Sequence, residues 1–90
     1  MSYQIRTSER FDREFSKLDK YTRKMIKAWI MKHLDGCENP RVTGKGLTAN
    51  RSGQWRYRIG DYRMICEICD DVLVIMALTV GHRSVIYDGK

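Results

Sequence analysis

The sequence predicts a small α+β domain: a β-α-α-β-β-β sandwich with two antiparallel N-terminal helices packed on one face of a mostly antiparallel four-stranded sheet. Three observations lead there. Two stretches in the first third repeat apolar residues at helical spacing. Three stretches in the second half alternate, or run apolar, at strand length. The helical and extended stretches are segregated along the chain rather than interleaved, which favours helices on one side of an antiparallel sheet over a parallel sheet wrapped in helices. Ninety residues with a single proline and ample aliphatic and aromatic side chains make one domain, spanning residues 1–90.

Tyr3 to Thr7 alternates and suits a first strand. Ser8 is placed to cap a helix in which Phe11, Phe15 and Leu18 share a face, with Glu9 and Arg13 one turn apart. Asp19 is a second cap. From Lys20 onward Tyr21, Met25, Ile26, Trp29, Ile30 and Leu34 form one apolar stripe, while Arg23, Lys24, Lys27 and Lys32 cover the other faces. Asp35-Gly36 ends this helix. Cys37 to Gly53, with Asn39, Pro40, Gly44, Gly46, Asn50 and Ser52, reads as a connecting loop with a short helical piece at its start. Three strands follow: Gln54 to Gly60, Tyr62 to Cys69, and Val72 to Val80, the last two joined by a turn at Asp70-Asp71. Val72 to Leu78 is apolar at every position, as in a strand covered on both faces.

The first hairpin is the most informative local feature. Gly60-Asp61 between two alternating runs is a two-residue turn signal, because glycine accepts the positive φ that such turns demand. Centred there, the turn sets Ile59 opposite Tyr62, Arg58 opposite Arg63 and Tyr57 opposite Met64. Alternation then puts Arg56, Arg58 and Arg63 on one face, and Trp55, Tyr57, Ile59, Tyr62, Met64, Cys66 and Ile68 on the other. Like charges directly opposite each other destabilise a sheet by up to about 1 kcal/mol. An anionic partner is the simplest reason to keep them.

The net charge of +6 and pI of about 9.5 favour the same class of partner: nucleic acid, an acidic protein or an anionic membrane surface. The amino terminus has no apolar signal core, and no run approaches the roughly 20 apolar residues of a membrane span, so a cytoplasmic protein is expected. Cys37, Cys66 and Cys69 are an odd number, unlike a disulfide framework. Cys66 and Cys69 point to opposite faces of a strand, which argues against a metal or redox site. Asp61, Asp70 and Asp71 sit where turns favour aspartate. No metal and no cofactor are expected.

The run Trp55-Arg56-Tyr57-Arg58-Ile59-Gly60-Asp61-Tyr62-Arg63, the apolar strands after it, and the terminal Gly81-His82-Arg83 followed by Tyr87 resemble the RelE/ParE toxin superfamily of type II toxin–antitoxin modules. The resemblance spans nearly the whole chain and is nearest to the RelE branch. It implies a metal-independent endoribonuclease that cuts mRNA in the ribosomal A site, in contact with ribosomal RNA. It also implies a cognate acidic antitoxin that neutralises the toxin, with operator DNA bound only through the antitoxin complex. Carried over residue by residue, it implies substrate-binding roles for Arg56 and Arg58 and catalytic roles for Arg63, Arg83 and Tyr87. Some ribosome-dependent members have lysines where this chain has Arg56 and Arg58, and the Arg83–Tyr87 spacing is shorter than in some relatives.

Cleavage of RNA by its own 2′-hydroxyl needs a base, cations for the charge on the phosphorane-like transition state, and an acid for the leaving 5′-oxygen. Arginine suits the second task, since its planar fork binds phosphate oxygens in pairs, but it stays protonated and makes a poor base. The base must come from elsewhere, and the resemblance implies Tyr87, whose ionised form surrounding arginines would favour. Lys45, in Gly44-Lys45-Gly46, and His82 are further substrate-binding candidates; their ordinary alternatives are a surface lysine and a ring packed on the sheet edge. Trp55 and Tyr62 read as core. The basic face of the second helix reads as solvated surface or a ribosomal RNA contact. The rival function on the same fold is non-catalytic inhibition of DNA gyrase, as for ParE, and a third is a basic module that only pairs with an antitoxin.

Overall fold

The computed structural model describes residues 1–47 and 53–84. In chain order the elements are β1 (Gln4–Thr7), α1 (Glu9–Ser16), α2 (Lys20–His33), β2 (Lys45–Gly46), β3 (Gln54–Ile59), β4 (Tyr62–Cys69) and β5 (Val74–His82). They build one sheet in the order β1-β5-β4-β3-β2. β1 runs parallel to β5, with Gln4 beside Val74 and Thr7 beside Ala77, and every other pair is antiparallel.

Both helices begin at the expected caps. Ser8 Oγ accepts the Phe11 N–H at 3.0 Å, and Asp19 Oδ2 accepts the Thr22 N–H at 3.2 Å. Between them the Arg23 guanidinium donates to the Leu18 and Ser16 carbonyls, closing the end of α1 and fixing the tight turn into α2. Phe11, Ile26, Ile30 and Leu34 pack against Tyr57, Ile59, Met64, Cys66, Ile68, Ile75, Ala77 and Val80, all buried. The helices thus cover the face of the sheet opposite the hairpin arginines.

Among the described residues the sheet has five strands rather than the four expected. The additional one is β2, whose Lys45 and Gly46 lie opposite Arg56 and Trp55. Gly-Lys-Gly has neither strand period nor strand propensity; the pairing is imposed by Trp55. Its indole N–H donates to the Thr43 carbonyl at 2.7 Å, and its ring lies so close that a Cβ on Gly44 would come within 2.7 Å of Nε1 and one on Gly46 within 3.0 Å of Cζ3. Gly44, with φ of +82°, also abuts the Arg56 carbonyl. Ahead of β2, residues 38–44 form turns and bends instead of the helical piece expected there.

Three smaller differences have local causes. Tyr21 is 78% exposed, and Thr22 takes the buried position instead, its hydroxyl donating to Asp19 Oδ1. The ion pair on α1 joins Arg10 to Glu14 at 3.2 Å. β5 begins at Val74, because the turn from β4 extends to Leu73, which adopts a positive φ of 55°. Val72 is left 62% exposed.

β5 also carries a bulge: Ile65 faces Thr79 while Cys66 faces Ala77, so Leu78 is the extra residue. β1 has ended there, and α1 satisfies the exposed edge. Ser8 Oγ donates to the Leu78 carbonyl at 2.9 Å, and Glu14 Oε1 accepts the Val80 N–H at 3.0 Å and the Thr79 hydroxyl. Burial alone would raise the Glu14 carboxyl, but the bonds from Thr79 and Val80 outweigh it and hold it below the ordinary glutamate value. A carboxyl depressed by folding adds stability above its unfolded pKa and loses it as pH falls through the folded one. Glu14→Gln is therefore expected to flatten the acid side of the stability curve, below the usual carboxylate range. Urea denaturation of both proteins at neutral pH and in that acid range measures it; parallel losses in the two would assign the acid sensitivity elsewhere.

Among the described residues, no helix is long and apolar enough to cross a membrane.

Candidate functional site

The register of β3 and β4 follows the Gly60-Asp61 turn as expected, with Gly60 at φ +60°, Ile59 opposite Tyr62, Arg58 opposite Arg63 and Tyr57 opposite Met64. Tyr57, Ile59, Met64 and Cys66 are buried under the helices. Arg56 and Arg63, both half-buried, and the exposed Arg58 therefore occupy the opposite face.

Two cross-strand rows build this face. In one, Lys45 of β2, Arg56 of β3, Ile65 of β4 and Thr79 of β5 lie side by side; in the next are Arg58, Arg63 and Gly81. β2 thus adds a fourth cation to the three read from the hairpin. Burial, and after it the neighbouring charges of Arg63 and Arg58, push the Arg56 guanidinium below its ordinary arginine value. The shared repulsion of these cations would be relieved by an anion with several acceptor oxygens, and a phosphodiester is such a group.

The chain after β5 returns to the tip of the same hairpin. The Arg83 N–H donates to the Asp61 carbonyl at 2.9 Å, which sets Arg83, exposed, beside the turn that joins Arg58 to Arg63. His82 faces the other way. It lies opposite Tyr62, with the two rings edge to face at 5.5 Å, and its Nδ1 accepts the Ser84 N–H at 3.2 Å and lies 2.8 Å from Ser84 Oγ. That contact places the imidazole on the helix-covered side of the sheet, apart from the arginine rows. Tyr87 lies outside the described residues.

The loop that delivers Lys45 is anchored at three points. Tyr57 Oη, at the centre of the core, donates to the Pro40 carbonyl. Trp55 holds Thr43. Arg41 forms a paired salt bridge to Asp70, at 2.8 and 3.1 Å, and Asp70 also accepts the Tyr3 hydroxyl. The hydrogen bond from Arg41, followed by that from Tyr3, keeps the Asp70 carboxyl below the ordinary aspartate value. Asp70 is thus occupied in holding the loop against the β4–β5 turn.

Cys37, Cys66 and Cys69 are free thiols, and burial raises the Cys66 thiol strongly. Among the described residues, no three His, Cys, Asp or Glu side chains gather in a metal-binding group.

Sequence signals missed two residues near this face: Trp29, read as core stripe, and His33, not singled out. Both line a cleft of about 440 Å³ at the β3 edge, together with Thr43, Gly44, Lys45, Arg56 and Arg58. Helical spacing places Trp29 and His33 together but does not show that the stripe opens onto cations.

Comparison with known proteins agrees with this architecture. The family model described as the ParE toxin of the type II toxin–antitoxin system parDE matches residues 5–87. Among solved structures, the RelBE2 toxin–antitoxin complex from Mycobacterium tuberculosis is similar at 25% identity with a TM-score of 0.81, over 93% of this chain and 94% of that one. The isolated RelE toxin from E. coli is similar at 23% identity and a TM-score of 0.73, over 90% and 84%. The archaeal RelE–RelB complex from Pyrococcus horikoshii OT3 is similar at 21% identity and a TM-score of 0.71, over 96% and 100%. The last two likenesses are of fold. No curated protein matches the chain.

Proposed function

The chain belongs to the RelE/ParE superfamily of type II toxin–antitoxin toxins, and on that premise we propose that it is a ribosome-dependent mRNA endoribonuclease. The observation that supports this most is the pair of adjoining rows holding Lys45, Arg56, Arg58 and Arg63, with Arg83 at the hairpin tip. In the proposed reaction the substrate's 2′-oxygen forms a bond to the adjacent phosphorus as the bond to the 5′-oxygen breaks. The products are a 2′,3′-cyclic phosphate and a 5′-hydroxyl. Arg56, Arg58 and Lys45 hold the strand, while Arg63 meets the charge that develops on the non-bridging oxygens. Arg83 meets the charge on the departing 5′-oxygen, which takes its proton from water, and Tyr87 takes the proton from the 2′-hydroxyl.

An acidic antitoxin segment is the partner proposed to neutralise the toxin, and the cationic face is where opposite charge would draw it. The solved complexes of RelE-type toxins with their antitoxins support such a partner.

One observation favours a second reading, inhibition of DNA gyrase without catalysis: the family model that matches is that of ParE. Purified protein added to programmed ribosomes, and separately to gyrase with supercoiled DNA, decides between them. The nuclease reading expects message cleavage, slowed strongly in Tyr87→Phe. Blocked supercoiling with intact message would establish the second reading, and inactivity in both assays would remove both. Cleavage by Tyr87→Phe at the wild-type rate would free Tyr87 from the proton-transfer role alone.

A further inference from the structure

The cleft at the β3 edge has a chemistry of its own. β2 pairs with only Trp55 and Arg56 of β3, so among the described residues Tyr57–Ile59 have no strand beside them on that side. The cleft wraps this open edge and reaches both faces of the sheet. One wall is aromatic: Trp29 and His33, one turn apart near the end of α2, lie with ring centroids 4.6 Å apart at 37°. Trp29 is backed by the buried Tyr57 ring at 5.6 Å, which keeps it from swinging away, while His33 is exposed. The other wall is cationic, made by Lys45, Arg56 and Arg58.

Flat π surface facing a cluster of phosphate-binding cations fits a nucleotide in two parts. A base stacks on the rings, and its phosphate meets the charges. An acidic peptide would use the cations and leave the rings idle; an apolar one would do the reverse. The volume, about 440 Å³, lies in the usual range for small-ligand sites.

We infer that this cleft is a nucleobase subsite. It takes one unpaired nucleotide of a single-stranded RNA as the strand leaves the arginine face over the edge of β3, with the base against His33 and Trp29 and the phosphate on Lys45, Arg56 and Arg58. This rests on the nuclease reading for the identity of the strand, but its test does not need catalysis.

The probe is an RNA trinucleotide with methylated 2′-oxygens, compared with the same trinucleotide lacking its central base. Both are titrated to millimolar concentration against the full chain by fluorescence anisotropy. The base-bearing form is expected to bind about 5- to 150-fold more tightly, the usual range for one stacked base. His33→Ala should abolish most of that preference, and His33→Phe should restore it; a residue acting only on folding would shift both probes alike. Equal binding of the two by the wild-type chain, a preference untouched by His33→Ala, or no binding of either overturns the inference. So does an acidic peptide whose affinity falls in His33→Ala while the base preference stays. Base preference without message cleavage on ribosomes would retain the subsite and remove the nuclease reading. Cleavage without base preference would do the opposite.

Discussion

Arg63→Ala is expected to slow single-turnover cleavage of ribosome-bound message by about 10²–10³-fold, the usual cost of removing one preorganised donor to a developing anionic charge. Arg63 sits directly opposite Arg58, beside Arg56's row, and half-buried, where its charge is less screened than on an open surface. Arg63→Lys should recover only part of the loss, because an ammonium gives a point charge in place of a planar fork. The matching stability experiment uses the exposed Arg58. Removing one member of a facing like-charge pair should leave the unfolding free energy of Arg58→Ala unchanged or raise it by up to about 1 kcal/mol. Lower activity without lower stability is the pattern of residues kept for a ligand. Wild-type cleavage by Arg63→Ala would remove it from the charge-stabilising role.

The second large effect concerns stability. Tyr57 is fully buried among core side chains, next to Trp29, and its hydroxyl holds the Pro40 carbonyl. Tyr57→Ala deletes the ring from a packed core and is expected to cost about 3–5 kcal/mol, a large part of the stability of a domain this size. Tyr57→Phe keeps the ring and leaves the carbonyl without its donor, at about 1–3 kcal/mol. Urea denaturation separates the two, and a loss near zero for Tyr57→Ala would mean that the core closes over the gap. Because the same hydroxyl anchors the loop that carries Lys45, Tyr57→Phe should also weaken RNA binding more than its modest destabilisation accounts for.

Much of the candidate site's geometry was legible because its signals are local. A two-residue turn at Gly60-Asp61 dictates which side chains face each other across the hairpin, and alternation then divides arginines from core. Ser8 and Asp19 announce their helices in the same way, through hydrogen bonds only three residues long. What escaped depends on contacts distant in sequence. β2 exists because Trp55 offers Gly44 and Gly46 a close-fitting surface, and glycines in a loop do not reveal what they approach. The bulge at Leu78 depends on where β1 stops and on α1 supplying Ser8 and Glu14 to the bared edge. Tyr21 and Thr22 exchanged places because the capping bond to Asp19 turns Thr22 inward, against what hydropathy alone suggests. His82, by contrast, lies where its alternation with Arg83 suggested: exposed, opposite Tyr62 and turned away from the arginine rows.

The parallel pairing of β1 with β5 has a consequence for synthesis. Gln4 must wait for Val74 before it gains a neighbour, and β5, the last of the described strands in chain order, is an interior strand of the sheet. A growing chain that has not reached it can form the arginine hairpin, but a lone hairpin is marginal in water, and the helices have no complete sheet to lie on. The cationic rows are thus held rigid only once β5 is in place. The cationic face is therefore a product of the whole sheet and not of its hairpin: the first and last of the described strands must meet before the arginine rows have a fixed support.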